Sequence, residues 1–482
     1  MRRISLYLTI VSLLAAACNS PENQNPKEVI PDFSKVSRVE TGIPNAVMLT
    51  AYSTTLIAIG TDETRLRLAI VDSLSREITS ADDSIRVYVN GDASLTAEDG
   101  SELVTRIDTA GNTYYACKLE DGLCYLWFVA GAIPDKVKIE ARSGNLWPGG
   151  HEIHTLSGDV VLMKPSPEEI KEGTRKIERM IGADISFLPQ IEQEWNRTFY
   201  ENGVEVDAIE LLKEHGFNAI RLRIFVNPEN ENGYSPEKGY CGLDHTLAMA
   251  HRVKKAGMKF LLDFHYSDYW ADPQQQYIPA AWSELSFDAL RDTMEAYTER
   301  VLLRMRSEGV MPDMVQVGNE INHGILWPAG YIGNPDQLAQ LLIAGVNGVR
   351  AVDDNVPVMM HIALGGQNDE AVFWLDNMIA RGVDFDIVGI SYYPRWHGTL
   401  EDLYYNLHDL AKRYHKPVNV VEYNDFAPQV HEIVFGLPDD LGKGACIWEP
   451  LGRRSGWFDS QGKVNESVLV YDTLSAEYLP AY

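Results

Sequence analysis

Val315-Gln316-Val317-Gly318-Asn319-Glu320-Ile321-Asn322 begins as an alternating β-strand and runs into a carboxylate. Val315 and Val317 share one face of a period-two pattern. Gly318 and Asn319 break the pattern, and Glu320 follows, a charge that a packed interior rejects. The surroundings explain its place. Strands are expected over 182–187, 217–226, 259–264, 314–318, 357–362, 386–391, 417–422 and 444–448. Helices are expected between them, over 208–214, 243–256 and 287–308, and after Asn334-Pro335-Asp336, where a capping residue precedes a first-turn proline. Eight strand–helix units in about 310 residues imply an α/β fold, a (β/α)8 TIM barrel. Such barrels collect their active sites at the C-terminal strand ends. Glu320 is therefore expected in the barrel mouth, where an acid has chemical use.

Upstream the periodicity changes. Arg65-Leu66-Arg67-Leu68, Ile85 to Val89 ahead of Asn90-Gly91, and Val137 to Glu140 alternate with period two. Short strands with turn signals between them predict an all-β, immunoglobulin-like sandwich over 35–164, a support for the barrel or a sugar-binding module. The catalytic barrel is expected over 172–482. The chain starts with Arg2-Arg3, an apolar run from Ile4 to Leu14, and Ala15-Ala16-Ala17-Cys18. That run is shorter than the roughly 20 residues of a membrane span and reads as a signal peptide over 1–18. The ending resembles a lipobox, which implies lipidation at Cys18, a flexible tether over 19–34, and attachment to a membrane, expected to be the outer membrane and cell surface. Cys117 and Cys124 flank a turn and either pair or stay as two buried thiols. Cys241 and Cys446 show no metal-ligand spacing.

The formal net charge of −27 repels phosphate backbones and argues against nucleic acid as a partner. A neutral polysaccharide suits such a surface better. Cleaving a glycosidic bond takes two carboxylates placed across the sugar. The second is sought at another strand end, and Asn419-Val420-Val421-Glu422-Tyr423 supplies it. Glu422 lies 102 residues after Glu320. Three units of a 250-residue barrel would span about 94, so strands four and seven fit.

The motifs then narrow further. Gly182-Ala183-Asp184, Ile220-Arg221-Leu222-Arg223, Asp263-Phe264-His265-Tyr266-Ser267-Asp268 with Trp270-Ala271-Asp272-Pro273, Leu326-Trp327-Pro328, Ser391-Tyr392-Tyr393-Pro394 and Trp448-Glu449-Pro450 occur in order around the Asn319-Glu320 pair. This set resembles glycoside hydrolase family 53, the arabinogalactan endo-β-1,4-galactanases, over about residues 180–450. The resemblance implies Glu320 as general acid/base and Glu422 as nucleophile of a retaining mechanism on β-1,4-galactan. It implies Asn319 on the 2-hydroxyl of the reacting sugar, with Arg221 and Tyr393 holding Glu422. It places Asp184, His265, Asp268 and Trp270 along the cleft, with Trp327 and Trp448 as sugar platforms. The fifth strand end carries no matched motif, and Ile224-Phe225-Val226 lacks the family's usual tryptophan.

Other readings stay open at this level. A strand-end glutamate can be a salt bridge at the barrel mouth. His265, Asp268 and Asp272 are also a possible metal-ligand set, although the resemblance favours a substrate cleft with no metal and no cofactor. A structural calcium, found in some bacterial members, has no convincing oxygen cluster here. Asp184 either binds a sugar hydroxyl or ties down an arginine, and Arg223 pairs with Asp184 or Asp263. The rival functions are a mannanase, xylanase or glucanase of the same clan, or a surface lipoprotein that binds glycan without cutting it.

Overall fold

The eight expected strands close into a parallel barrel. They are β1 (Met180–Asp184), β2 (Ala219–Ile224), β3 (Lys259–Phe264), β4 (Met314–Val317), β5 (Val358–Ile362), β6 (Ile387–Tyr392), β7 (Val418–Tyr423) and β8 (Gly442–Trp448). β8 pairs with β1 from Met180–Gly444 to Asp184–Trp448, which seals the cylinder. The computed structural model describes residues 30–173, 175–452 and 456–480. The signal peptide, Cys18, most of the tether and the Arg453-Arg454-Ser455 stretch lie outside the described residues.

Helices cover the barrel where their caps and apolar stripes direct them. Ala208–Glu214 starts on Asp207, whose carboxylate accepts from the Ile209 and Glu210 amides. Leu400–Tyr414 starts on a capping box between Thr399 and Asp402 and buries Leu403, Leu407, Leu410 and Tyr414 on one face. β4 is buried along its whole length, so Val315 and Val317 are core and not half-buried. No helix among the described residues is long and apolar enough to cross a membrane.

Strands from Arg38 to Leu156 form two sheets of six strands each. Val47, Leu49, Leu66, Leu68 and Phe128 of one sheet share a buried cluster with Ile85, Val87, Val137, Ile139 and Ile153 of the other. A disulfide between Cys117 and Cys124 joins a strand of the second sheet to a strand of the first. Twelve strands in the two sheets exceed the seven to nine of an immunoglobulin domain.

This β-region is bound to the barrel through buried polar groups. Glu370, 2% exposed, accepts the Thr54 amide (2.5 Å), the Thr54 hydroxyl (3.0 Å) and the Thr55 hydroxyl (2.6 Å). The His154 and His323 rings stack at 3.7 Å, and Gln367 Nε2 donates to Ala51 O at 3.2 Å. Phe33 and Leu156 belong to the barrel's own apolar cluster. Leaving any of these buried donors unmatched would cost about 1–3 kcal/mol, so the two parts hold one relative position.

Candidate active site

Alternate residues of β2 put two arginines on the barrel interior. Arg221 is 1% exposed and reaches four strands. Its Nη1 donates to Asp184 Oδ2 (2.9 Å) and Glu422 Oε1 (2.8 Å); its Nη2 donates to Asp263 Oδ2 and Asn319 Oδ1 (both 2.8 Å). Its Nε donates to Gln316 Oε1 at 3.2 Å. Arg223 donates to Asp184 Oδ1 (3.2 Å) and Glu449 Oε1 (2.6 Å). Of its two expected partners, Asp184 is the one it meets, because Asp263 faces Arg221.

Asp184 is fully buried and also accepts from the Ser186 amide and hydroxyl. Burial pushes its carboxyl up, but Arg223, Arg221 and Ser186 outweigh that and hold it below the usual range. With both oxygens occupied, it ties down arginines and has no room for a sugar hydroxyl.

His265 accepts the Ala271 amide on Nδ1 (3.0 Å), so its proton sits on Nε2 and points to Asp263 Oδ2 (3.1 Å). Asp268 accepts the Asn227 amide, Asn230 Nδ2 and the Ala280 amide, pinning the loops after β2 and β3. Among the described residues no group of three or more His, Cys, Asp or Glu side chains is arranged to hold a metal ion. Their occupied atoms explain why His265 and Asp268 organise the cleft wall and do not line it.

Glu320 sits just past β4 in the left-handed region, φ 50° and ψ 52°, after Gly318 at φ 88°. A side-chain-bearing residue there stores roughly 1–2 kcal/mol. Its Oε1 accepts from Ser391 Oγ at 2.7 Å, and it touches no cation among the described residues. Ser391 Oγ lies 2.8 Å from His361 Nε2, and His361 Nδ1 lies 2.9 Å from Asn319 Oδ1. Burial and Arg221 keep His361 neutral. The fifth strand, which carries no matched motif, thus supplies the imidazole beneath both Asn319 and Ser391.

Glu422 is held differently. Arg221 grips Oε1, and the Tyr393 hydroxyl donates to Oε2 at 2.9 Å. Burial raises both carboxyls. Glu320 stands well above its ordinary value because the negative Glu422 adds to burial. For Glu422, Arg221 and Tyr393 oppose the burial. The proton therefore resides preferentially on Glu320 and the charge on Glu422.

Two cavities open near these groups, and the first of them reaches Glu320. One of about 280 Å³ is lined by Glu320, Asp272, Asn322, Tyr393 and Trp396, together with β-region residues. The other, about 580 Å³, is lined by Phe187, Trp195, Asn424, Asp425, Trp448 and Glu449. Trp448 lines this second cavity. Trp270 packs edge-on against Phe187 and Phe225 with Arg223 4.2 Å from its ring centroid. Trp327 departs from the expectation of a sugar platform. Lys136 Nζ sits 3.6 Å over its ring and its indole N–H goes to His323 O, so it serves the contact with the β-region. Trp282 and Trp374 are core.

The sequence reading missed Ser391, His361, Gln316 and Glu449 as site members. Gln316 carried a signal, as a polar residue facing inward from a buried strand. Ser391 and Glu449 fall within the motifs that carry the resemblance, which implies no role for them.

A model described as glycosyl hydrolase family 53 matches residues 180–432, which include both glutamates. The chain belongs to glycosyl hydrolase family 53. As a family 53 protein it is a glycoside hydrolase. It is 46% identical over 312 residues to an uncharacterized protein in the bgaB 5′ region of Niallia circulans, covering 56% of this chain and 83% of that one. It is 33% identical over 317 residues to a probable arabinogalactan endo-β-1,4-galactanase A of Aspergillus tubingensis (58% and 86% covered). With the endo-β-1,4-galactanase of Bacillus subtilis it shares 36% identity over 243 residues, half of this chain and 55% of that relative. Among solved structures, the Ignisphaera aggregans GH53 catalytic domain is 31% identical with a TM-score of 0.57, covering 64% of this chain and 98% of that one. A structure of fungal β-1,4-galactanases gives 28% and 0.54, covering 60% and 98%. The β-region of this family 53 hydrolase lies outside the residues that the family model matches.

Proposed function

We propose that this hydrolase cuts β-1,4-galactosidic linkages within galactan or arabinogalactan side chains of pectin, retaining the anomeric configuration by double displacement. The observation that carries the reading is the unequal treatment of two buried carboxyls. Glu422 is clamped by a guanidinium and a phenol, while Glu320 has a hydroxyl and, among the described residues, no cation. Ionised Glu422 attacks the anomeric carbon as protonated Glu320 gives its proton to the departing glycosidic oxygen. The bond to the leaving sugar breaks and a glycosyl ester on Glu422 forms. Glu320, now a carboxylate, takes a proton from water, whose oxygen displaces Glu422 from the opposite face. Asn319 Oδ1 is already held by Arg221, so its amide is oriented for the 2-hydroxyl. The cavity at Glu320 and the second one beside Trp448 leave room for more than one sugar unit, which supports a polymeric substrate. The galactanase names of the relatives support the choice of sugar.

Replacing Glu422 with Ala should abolish galactan cleavage, and added azide should restore turnover as a glycosyl azide of inverted configuration. Retained activity in that variant refutes the nucleophile assignment. Parallel incubation with galactan, mannan, xylan and glucan tests the sugar, and dominant turnover of any but galactan replaces the substrate. We also propose lipidation at Cys18, on the strength of the sequence alone. Cys18→Ala should release the enzyme from membranes, and an unchanged membrane fraction would rule the anchor out.

A further inference from the structure

The 280 Å³ cavity beside Glu320 has a wall that the barrel does not make. Thr54, Gly150, His151 and Glu152, all from the β-region, close it opposite Asp272, Asn322 and Trp396. The cavity touches Glu320, the group that protonates the departing oxygen, and Glu422 is absent from its lining. It therefore lies on the leaving-group side of the scissile bond. Its volume is near the lower end of the ~300–1,000 Å³ of small-ligand sites, the scale of a sugar ring.

The wall carries unspent hydrogen-bonding capacity. Glu152 Oε1, whose nearest donor is a poorly aligned His154 Nε2, and His151 Nε2 are buried without a well-formed hydrogen bond among the described residues, an arrangement that native interiors rarely tolerate without a function. His154 Nε2 lies 3.2 Å from Glu152, and Lys136 and Lys138 lie 3.8 Å away. His154 chiefly, with the two lysines, holds the Glu152 carboxyl below its usual range, so it accepts hydrogen bonds only. Burial pulls His151 down to about 4, which leaves a neutral ring. Trp396, 40% exposed, presents an indole to the same space. A carboxylate for hydroxyls, a neutral imidazole and an aromatic face are the groups that hold a neutral sugar.

We propose that the β-region completes the enzyme's leaving-group subsite: Glu152 and His151 bind hydroxyls of the galactosyl unit that departs from Glu320, with Trp396 packing on its C–H face. This deepens the galactanase reading and rests on it. It gives the N-terminal sheets a part in substrate choice, beyond supporting the barrel.

The test compares the full chain with its Glu152→Gln and Trp396→Ala variants on linear β-1,4-galactan and on nitrophenyl β-1,4-galactobioside. The aryl substrate has no sugar on the leaving side. The ratio of kcat/KM on galactan to that on the aryl substrate should fall about tenfold in each variant, mainly through KM. A ratio that stays within about twofold of the wild-type value overturns the proposal. So does an equal fall on both substrates, which marks a structural role. Wild-type enzyme that cleaves the aryl substrate and leaves galactan intact would instead overturn the substrate reading and this subsite with it.

Discussion

Arg221 sets the charge distribution of the site at the level of one residue. Among the described residues it is the single permanent cation in contact with Asp263 and Glu422, and it shares Asp184 with Arg223. Removing one side of a buried ion cluster costs about 3–5 kcal/mol. Arg221→Met should destabilise by that order in chemical denaturation and move the acid limb of kcat/KM to higher pH, because Glu422 loses the group that favours its charge. Glu320→Gln should lower kcat/KM on galactan by roughly 10²–10⁴. With an activated aryl leaving group, the alkaline limb should vanish in that variant, since no acid remains to be titrated. Glu449 offers a stability test. Burial pushes its carboxyl up to about 8 despite Arg223. The folded form thus keeps the proton longer than the unfolded chain, whose value is about 4.3. The resulting stability is complete below the unfolded value and is lost as pH rises toward 8. Wild type should lose thermal stability over that window, and Glu449→Gln, which cannot ionise, should lose less.

At the scale of elements, the sequence was most legible where one strand or helix obeys one period. β3 and the helix Ala208–Glu214 end where their patterns end. β4 stops one residue short of expectation because Gly318 leaves the extended region at φ 88°. That turn aims Glu320, and nothing in a hydrophobic period reports it. A Cβ at Gly318 would sit 2.7 Å from Ile321 Cγ2 in a conformation that favours glycine. Gly318→Ala should cost about 1–3 kcal/mol by thermal denaturation and lower kcat with it. The pairing of β6 with β7 shifts register between Ile390 and Ser391, which brings Ser391 opposite Glu422. Such a shift depends on neighbouring strands, so Ser391's role could not be read from its own segment. His361 was hidden for a similar reason: its importance lies in the partners that β4 and β6 bring to it. Glu320 and Glu422 were legible because a strand-end acid contradicts its own strand.

For the whole molecule, the sequence marked a change of period and a boundary, and from that it suggested a support for the barrel or a sugar-binding module. It could not show which side of the barrel the sheets would cover, because contacts between Thr54 and Glu370 span 316 residues. Glu370 is the point to probe. Burial pushes its carboxyl up, yet His323, Thr54 and Thr55 pull it below the ordinary value. Its contribution is therefore present above the unfolded value and is lost as pH falls through the folded one. The stability gap between wild type and Glu370→Gln should shrink as pH falls below the unfolded value of about 4.3. Glu370→Ala should cost about 2–4 kcal/mol in denaturant and weaken galactan binding more than aryl-substrate turnover.

Glu370 also limits how this architecture can be recombined. A chimaera that puts these sheets on another barrel inherits two threonines searching for an acceptor, and the abandoned barrel keeps a sequestered anion with its donors gone. Modular shuffling fails on both sides of that seam unless position 370 travels with residues 54 and 55, so the two halves must have been tuned as a unit.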